Sequence, residues 1–486
     1  MNIRSLKILA VSLGLCAAAG HLVAQVTLTN LYSFSNVGSI SNGVYPVAGL
    51  AQGSDGNFYG TTSSGGGIQN GGTVFRINPS GSLTTLWMFD LRLIPANGDY
   101  DGSNPKAGLV QGSDGNFYGT TYSGGTGSLG VSPLGTVFRL DTTGSLTLTT
   151  LHTFTNNSDG AGPAAGLVQG RDGYLYGTTT QGGVAINYGT LFRISPSGSS
   201  HSILHSFTNS PDGGNPVAGL VQGSDGNFYG TTKQGGTNGG GTASGGTVFQ
   251  FNTNGSLTIL HSFNTSVDGA PLAGLAQGTD GNFYGTTYNA GAYAGGTVFR
   301  INPSGNYSTV YSFNSNLGDG TAPAAGLVQG SDGNFYGTTQ NGGAHRVGTV
   351  FRISPSGSFS NLYSFTGGSD GKTPLAGLVQ GSDGNFYGTT EFGGTNGHGN
   401  VFKLIVPLNP PANQISAIKV AGTNVLVTIP SVTAEIYQLQ YRTSLTAGAW
   451  ANVAGASATS IGGSLTMTNF GGFPQSQQFY RFAITP

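Results

Sequence analysis

Short apolar segments separated by turn-forming residues recur along most of the chain, four to each unit of about 50 residues. In the fourth unit these segments are residues 217–222, 227–232, 246–251 and 257–263. Each is rich in β-branched and aromatic side chains and is bounded by Gly, Asn, Pro or Ser, as is typical of β-strands. The pattern therefore predicts four short strands in every unit.

The sequence Asp-Gly-Asn-Phe-Tyr-Gly-Thr-Thr, or a close variant, marks the second strand of every unit. Its Asp recurs seven times, at Asp55, Asp114, Asp172, Asp225, Asp280, Asp332 and Asp383. Seven units of four strands are typical of a seven-bladed β-propeller. The last unit lacks its fourth strand, and a matching segment stands at residues 28–34 instead. We therefore predict a closed propeller whose N-terminal strand completes the last blade.

The small residues of the repeat indicate how the strands are arranged. The first strand always contains Ala-Gly-Leu, and small residues belong where seven strands converge on the axis. The Gly of Tyr-Gly-Thr-Thr is expected to lie under an aromatic ring of a neighbouring blade. The Gln that ends each first strand is expected to satisfy backbone groups; this row is Gln52, Gln111, Gln169, Gln222, Gln277, Gln329 and Gln380.

Composition agrees with an all-β protein and leaves few groups for chemistry. Of the 486 residues, 87 are Gly, 17 are Lys or Arg and 18 are Asp or Glu. Abundant Gly and only two Glu disfavour helices, whereas 37% apolar and 10% aromatic residues suffice for a core. A net charge of −1 leaves no basic surface for a nucleic acid partner.

The N-terminus predicts an exported protein. Residues 1–24 have the pattern of a signal peptide, with Arg4 and Lys7 before an apolar run and a cleavage site after Ala24. The single Cys16 lies inside that run, so the mature chain has no thiol. We expect a monomer without a transmembrane segment that is extracellular, at the cell surface or in the periplasm.

The C-terminus predicts a second domain. The propeller is placed at residues 25–406, a Pro-rich linker at 407–413 and a small β-sandwich at 414–486. The sandwich prediction depends on six alternating segments: residues 415–420, 424–429, 436–442, 450–453, 464–468 and 478–484. Its core candidates are Trp450 and either Tyr437 or Tyr441.

Two rows of acidic residues are interpreted as structural. Together they hold thirteen of the eighteen acids: the seven Asp of the Asp-Gly-Asn turns, and Asp101, Asp159, Asp212, Asp268, Asp319 and Asp370 before each next blade. Two such rows suggest Ca²⁺ rings, but a Ca²⁺ loop supplies several anionic ligands, whereas one Asp beside Gly is typical of a turn. We predict no metal and no other cofactor.

A row of basic residues accompanies the first acidic row. The third strands carry Arg76, Arg139, Arg193, Arg300 and Arg352, with Gln250 and Lys403 in the other two repeats. These residues fall at the same end of the blade as the Asp-Gly-Asn turns. Because a partly buried Arg needs a partner, we predict Arg–Asp pairs around one rim.

Function is expected where the repeat breaks, on the variable loops between second and third strands. These loops share a face with the loops that lead into each next blade. The candidate ligand-binding residues there are Tyr122, Tyr188, Lys233, Tyr288, Tyr293 and Phe392. Aromatic side chains can stack on sugar rings, so the preferred hypothesis is a non-enzymatic propeller that binds an extracellular glycan or a surface protein.

An enzymatic hypothesis stays open beside it. Repeats six and seven are neighbours, and their loops carry His345, Arg346, Glu391 and His398, which could act as acid, base and cation on a polysaccharide as a lyase or hydrolase. Yet the sequence has neither a G-x-S-x-G elbow, which needs a helix after its strand, nor H-E-x-x-H, and few acids lie outside the repeated turns. A third hypothesis is a purely structural envelope component.

The repeats resemble the GloVer-type tandem repeat proteins, a family of exported bacterial proteins. The match rests on Ala-Gly-Leu-Val-Gln-Gly-Ser-Asp-Gly-Asn-Phe-Tyr-Gly-Thr-Thr at 325–339 and Gly-Thr-Val-Phe-Arg-Ile at 348–353, and it covers nearly all of 28–405. The resemblance implies export and surface association but no established activity. Residues 437–445, Trp450 and 479–482 resemble fibronectin type III-like modules, which implies a spacer or attachment role.

Overall fold

The computed structural model describes most of the repeat region and six segments after it. The described residues are 26–36, 42–67, 70–89, 101–125, 134–142, 144, 146–156, 158–184, 187–237, 244–406, 417–421, 424–431, 436–442, 451–459, 463–469 and 479–485. The predicted signal peptide with Cys16, the linker and Trp450 lie outside these residues. Contacts divide the chain into two units, Thr27–Ile405 and one that contains Val406–Pro486.

Seven four-stranded antiparallel sheets build Thr27–Ile405, which confirms the seven-bladed propeller. The first strands of the blades are β2 (Ala51–Gln52), β6 (Val110–Gln111), β10 (Val168–Gln169), β14 (Val221–Gln222), β18 (Ala276–Gln277), β22 (Val328–Gln329) and β26 (Val379–Gln380). The second strands are β3 (Phe58–Thr62), β7 (Phe117–Thr121), β11 (Leu175–Thr179), β15 (Phe228–Thr232), β19 (Phe283–Thr287), β23 (Phe335–Thr339) and β27 (Phe386–Thr390).

The outer half of each blade is longer. The third strands are β4 (Thr73–Ile77), β8 (Thr136–Asp141), β12 (Thr190–Ile194), β16 (Ser244–Phe251), β20 (Thr297–Ile301), β24 (Thr349–Ile353) and β28 (Asn400–Ile405). The fourth strands are β5 (Leu83–Met88), β9 (Thr147–Thr153), β13 (His201–Ser206), β17 (Leu257–Asn264), β21 (Tyr307–Ser312) and β25 (Phe359–Ser364). A 3-10 turn, Ser315–Leu317, follows β21.

The N-terminal strand completes the last blade, as predicted. Strand β1 (Thr27–Ser33) pairs antiparallel with β28, and the order of that sheet is β1-β28-β27-β26. The seventh blade therefore has four strands like the others, and no blade is left with an open edge towards a missing neighbour.

Each first strand is shorter than the sequence predicts, because the start of the segment packs against its neighbours around the axis rather than against its own sheet. A Cβ atom on Gly108 would lie 2.8 Å from the carbonyl oxygen of Gly49, and one on Gly49 would lie 3.3 Å from that of Gly377. The same contact links all seven Gly of the Ala-Gly-Leu segments. Only the last two residues, such as Val221 and Gln222, are left to pair with the second strand.

Aromatic stacking joins neighbouring blades. The Tyr of each second strand packs on the first residue of the next blade's second strand; Tyr229 and Phe283, for example, have ring centroids 4.0 Å apart. Tyr387 of the last blade stacks on Phe58 of the first at the same 4.0 Å, so the series closes. At one of the seven contacts the partner is aliphatic and not aromatic: Tyr118 packs in one cluster with Leu175.

A ring of hydrogen bonds accompanies the stacking. Each Gln of the predicted row accepts from a backbone amide of the preceding blade, as Gln111 does from Ser54 at 2.8 Å. The ring closes where Ser382 donates to Gln52 at 2.9 Å. The same side chain also donates to its own turn, as Gln111 does to the carbonyl of Gly115. The Gln row thus satisfies backbone groups, as expected from the sequence.

The Gly of the second strand serves a different contact from the one predicted. Gly119 pairs directly with Phe138 of β8, and a Cβ atom on Gly119 would lie 2.5 Å from the Cζ atom of Phe138. The aromatic ring therefore belongs to the third strand of the same blade, and not to a neighbouring blade. Antiparallel pairing places the two residues opposite each other, so the ring can lie across the Gly.

The second unit contains the six predicted strands. These are β29 (Ala417–Ala421), β30 (Asn424–Ser431), β31 (Ile436–Arg442), β32 (Ala451–Thr459), β33 (Gly463–Asn469) and β34 (Phe479–Thr485). They form two three-stranded antiparallel sheets, β29-β30-β33 and β32-β31-β34. Both sheets contribute buried side chains, Val427 and Met467 from one and Leu439 and Val453 from the other. The side chains of Tyr437 and Tyr441 are outside the described part.

The contact between Gly119 and Phe138 yields a stability prediction. We expect Gly119→Ala to lower the free energy of unfolding by about 1–3 kcal/mol, because the new methyl group overpacks a buried site. Gly144→Ala in the same blade is the control, since a Cβ atom there meets nothing within 4 Å. Thermal and urea unfolding measure both; equal stability of the two variants would contradict the packing argument.

Candidate functional site

The propeller has two unlike faces. One, here called the turn face, carries the Asp-Gly-Asn turns and the turns between third and fourth strands. The other, the loop face, carries the loops between second and third strands and the loops between blades. On the loop face the two loop types pair through short bridges, such as Val44 with Ser64 and Thr321 with Asn341. The variable loops therefore rest on backbone contacts that repeat from blade to blade.

On the turn face each Asp of the first acidic row is held within its own turn. Asp55 accepts from the Asn57 amide at 3.1 Å and from the Tyr59 hydroxyl at 2.9 Å. Burial works to raise the pKa of Asp55, but the bonds from Asn57 and Tyr59 outweigh it and hold that pKa below its usual value. Burial and the bond to Asp55 raise the pKa of Tyr59 to about 12.

The Tyr–Asp bond recurs in all seven blades, at 2.6 to 2.9 Å. The pairs are Tyr59–Asp55, Tyr118–Asp114, Tyr176–Asp172, Tyr229–Asp225, Tyr284–Asp280, Tyr336–Asp332 and Tyr387–Asp383. These carboxylates make the turn contacts that the sequence pattern predicts. They are bonded by the backbone and side chains of their own repeat.

The predicted Arg–Asp ion pairs are not formed. None of Arg76, Arg139, Arg193, Arg300 and Arg352 lies within 4 Å of an Asp of these turns, and the basic side chain that does is Lys403, at 2.8 Å from Asp383. The turn Asp does not depend on an Arg partner, because it is already bonded within its own turn: Asp55 accepts from Asn57 and from Tyr59, which stands opposite Arg76. Arg76 contributes only a longer-range attraction to Asp55.

On the loop face the second acidic row is bound by ring donors of the fourth strands. His205 lies 2.8 Å from Asp212, His261 2.7 Å from Asp268, and the Tyr311 hydroxyl donates to Asp319 at 2.6 Å. The remaining pairs are Trp87–Asp101, His152–Asp159 and Tyr363–Asp370. In the first repeat Asn42 replaces Asp and donates to Tyr32 of β1.

Sequence reasoning missed these ring donors although a signal was present. In every unit a side chain with a ring N–H or O–H stands two residues before the Phe that ends the fourth segment. These residues are Tyr32, Trp87, His152, His205, His261, Tyr311 and Tyr363. Both acidic rows are therefore used by the scaffold. Among the described residues, no group of three His, Cys, Asp or Glu could hold a metal ion.

Four residues with candidate roles occupy one equivalent position, directly after the Thr-Thr of the second strand. Tyr122, Lys233, Tyr288 and Glu391 each donate their backbone amide to the residue that precedes the Pro of the first segment. The Tyr122 ring lies under the Lys106 ammonium, whose nitrogen is 3.5 Å from the ring centroid. Tyr122 and Tyr288 are half-buried, and Lys233 is exposed.

The other candidate aromatics lie further along the same loops. The Tyr188 ring is close to Gly214 of the next blade, where a Cβ atom would be 3.0 Å from Tyr188 Cδ1. The Phe392 ring meets Tyr45 of the first blade edge-on at 5.4 Å. Tyr293 is 59% exposed and is the most accessible of the predicted aromatics. The loop face thus presents aromatic surface in several blades.

The four residues of the enzymatic hypothesis do not form a connected site in the described chain. His345 and Arg346 are exposed on the loop of the sixth blade. His398 packs edge-on against Tyr45 at 5.7 Å, and burial raises the pKa of the half-buried Glu391. No ion pair or hydrogen bond joins any two of these four side chains.

The repeat itself matches a known family. A family model described as the Gloeobacter/Verrucomicrobia repeat matches residues 21–126, 91–243 and 237–416. The chain belongs to this repeat family. No curated protein matches the chain at a significant level.

Solved structures similar to this Gloeobacter/Verrucomicrobia repeat protein are distant. One described as a gluconolactonase has a TM-score of 0.39 and 10% identity, and the match covers 78% of this chain and 92% of that one. A luciferin-regenerating enzyme has a TM-score of 0.37 and 12% identity, with 60% and 88% covered. These likenesses contribute nothing to the argument on function.

One blade of this repeat protein departs from the apolar pattern at its edge. Position 201 is His where four other blades have Leu (Leu28, Leu83, Leu148 and Leu257). The His201 ring stacks on His152 of the preceding blade, with centroids 3.8 Å apart. Burial and the charge of His152 lower the pKa of His201 to about 4.

This stack predicts an acid-sensitive site. Because the pKa of His201 is lower in the folded than in the unfolded chain, its contribution to stability is present above about pH 6.5 and is lost as the pH falls towards 4. We expect His201→Leu to raise the free energy of unfolding at pH 4.5 by about 1–2 kcal/mol relative to the parent, allowing for the partial exposure of His201. Melting temperatures of the parent and the variant at pH 7 and 4.5 test this, and His345→Leu, at an exposed position, is the control. The same fall in melting temperature between pH 7 and 4.5 in all three proteins would contradict it.

Proposed function

We propose that this protein is exported and binds a glycan or a surface protein through its loop face, without catalysis. The observation that carries the proposal is the use of the two acidic rows: thirteen acids are bound by turns, Tyr hydroxyls and ring donors of the scaffold. In the described residues, the loop face outside these rows carries mainly aromatic, hydroxyl and amide groups, and its carboxylate is that of Glu391. Aromatic, hydroxyl and amide groups bind by stacking and hydrogen bonding, whereas acid–base work on a glycan normally needs two carboxylates.

The loop aromatics support binding because their surroundings hold them in place. Tyr122 is held by Lys106, and Phe392 by Tyr45. A side chain that is already ordered loses little conformational entropy when a ligand covers it. Loops supported by a repeated scaffold are a common place for such residues.

The chain ends supply the cellular part of the proposal. Residues 1–24 would direct export, and the six C-terminal strands would form a fibronectin type III-like module that spaces or attaches the propeller. In the described residues no helix is long and apolar enough to cross a membrane. The protein would thus act outside the cell, at its surface or in the periplasm.

Binding and turnover can be measured on one set of variants. The full chain is screened against glycans and surface extracts, and Tyr122→Ala with Phe392→Ala is expected to weaken ligand binding about tenfold, because two stacking surfaces are lost. The control is Tyr174→Asn on the turn face, where the other six turns have Asn. We expect its binding to equal that of the parent.

Three results would count against the proposal. Unchanged binding in the Tyr122 and Phe392 variant would show that these two side chains do not take part in recognition. Turnover of a bound polysaccharide that His345→Ala abolishes would favour the enzymatic hypothesis. Failure of the parent to bind any glycan or surface component would favour a structural envelope role.

A further inference from the structure

The exposed apolar side chains of the propeller are concentrated around one blade. Among the described residues, the large apolar side chains with the greatest exposure are those of Val184, Leu317, Val267 and Tyr293. Three of them belong to the loops of the fifth blade: Val267 precedes it, Tyr293 is in its variable loop and Leu317 follows it. Their exposed fractions are 66%, 59% and 73%. We call these three residues the blade-five platform.

The variable loop holds Tyr293 at the tip of a tight turn. Gly296 donates to the Ala290 carbonyl at 3.0 Å, and Ala294 donates to that of Gly291 at 3.2 Å. Ala290 and Ala294 have φ values of 62° and 57°, a left-handed conformation that costs a non-glycine residue about 1–2 kcal/mol. The surrounding bonds must therefore fix this loop, and Tyr293 is displayed on a defined backbone.

The two flanking loops are tied to the variable loop or to the blade beneath it. Gly291 donates to the Val267 carbonyl at 3.1 Å, which joins the entry loop to the variable loop. On the other side Leu317 ends a 3-10 turn whose Asn314 donates its amide to Asp319. Burial and Asp319 raise the pKa of Tyr311 well above its usual value, and the nearby Tyr293 adds to the shift. The loop of Tyr293 is thus bonded to the entry loop through Val267, and the loop of Leu317 is bonded to its own blade through Asp319.

The loops that carry the platform offer no free charge to a ligand. Their charged residues are Asp268 and Asp319, and the charged side chains nearest to them in sequence on the loop face are Lys233 and Arg346 of the neighbouring blades. Asp280 and Asp332 are bound in turns on the opposite face. Asp268 accepts from Asn264 and contacts His261, and Asp319 accepts from Tyr311. An uncharged ligand suits such a surface, because a charged one would lose water without gaining a partner.

We propose that the blade-five platform binds a neutral polysaccharide, with Tyr293 stacking on a sugar ring and Val267 and Leu317 bordering the chain. This inference rests on the proposed function and assigns it to one blade. Three side chains fall well short of the 20–30 residues a side that a stable protein interface needs, and the patch lacks the Arg typical of such interfaces. The sixth and seventh blades, whose variable loops have the same length, have His345 and Asn396 at the position of Tyr293, so neither repeats its exposed ring.

The test compares neutral and acidic polysaccharides on the full chain. Affinity electrophoresis and calorimetry would use β-glucan, xyloglucan and galactomannan beside polygalacturonate and alginate. We expect binding to a neutral polymer that Tyr293→Ala weakens about tenfold and Tyr293→Trp retains, since stacking needs the ring and not the hydroxyl. Tyr174→Asn should bind like the parent, and raising the salt from about 0.05 to 0.5 M should leave the affinity unchanged.

The outcomes separate this inference from the function it refines. If neutral glycan binding survives Tyr293→Ala but is lost in the Tyr122 and Phe392 variant, the loop face binds and the platform assignment is wrong. A preference for the acidic polymers would overturn the inference, and so would a Tyr293-dependent capture of a surface protein without glycan binding. If no ligand binds the parent, both the inference and the proposed function fail.

Discussion

The Tyr of each second strand makes the contact on which the propeller depends. In the fourth blade the Tyr229 ring stacks on Phe283 of the next blade, while its hydroxyl donates to Asp225 of its own turn. One buried side chain thus fixes both the spacing between blades and the turn that starts its own strand. Because seven copies act in a ring, each blade is held from both sides, and the Asp of every Asp-Gly turn on the turn face is bound by a Tyr hydroxyl.

Closure of the ring uses the same interactions at the seam between the last and first blades. Tyr387 stacks on Phe58, Ser382 donates to Gln52, and the Thr389 hydroxyl donates to the Ala48 carbonyl. Strand β1 adds its pairing with β28. The seam therefore has every contact found between other neighbours, together with a strand that covalently belongs to the opposite end of the repeat region.

The sequence predicted the parts of this structure that depend on local periodicity. The number of blades, the N-terminal strand of the seventh blade and the Gly at the axis follow from segments that repeat at a fixed spacing. The Arg–Asp prediction failed because proximity along a rim does not reveal which donors bond a carboxylate; Asp55 accepts from Asn57 and Tyr59, and no ion pair joins it to Arg76. The ring donors, such as His261, were missed because their partner lies on a loop whose path the hydrophobic pattern does not determine. For the same reason the sequence could place His345 and Glu391 on neighbouring loops but could not decide whether they meet. Residues with a left-handed backbone conformation, such as Ala290 and Arg346, determine the path of the variable loops. Neither Ala nor Arg is a residue type from which that conformation can be predicted.

The position of β1 has a consequence for how the molecule is made. This strand is the first strand of the propeller to leave the ribosome, yet its partner β28 is the last propeller strand to be synthesised, and Thr389 bonds an atom of Ala48 that is 341 residues away. Blades one to six can assemble in order through contacts with their neighbours, but the first segment must wait unpaired throughout. The entropy cost of closing so long a loop arises once, in the step in which β1 pairs with β28 and closes the ring of blades. The blades are therefore synthesised one after another, whereas the propeller closes in one late step.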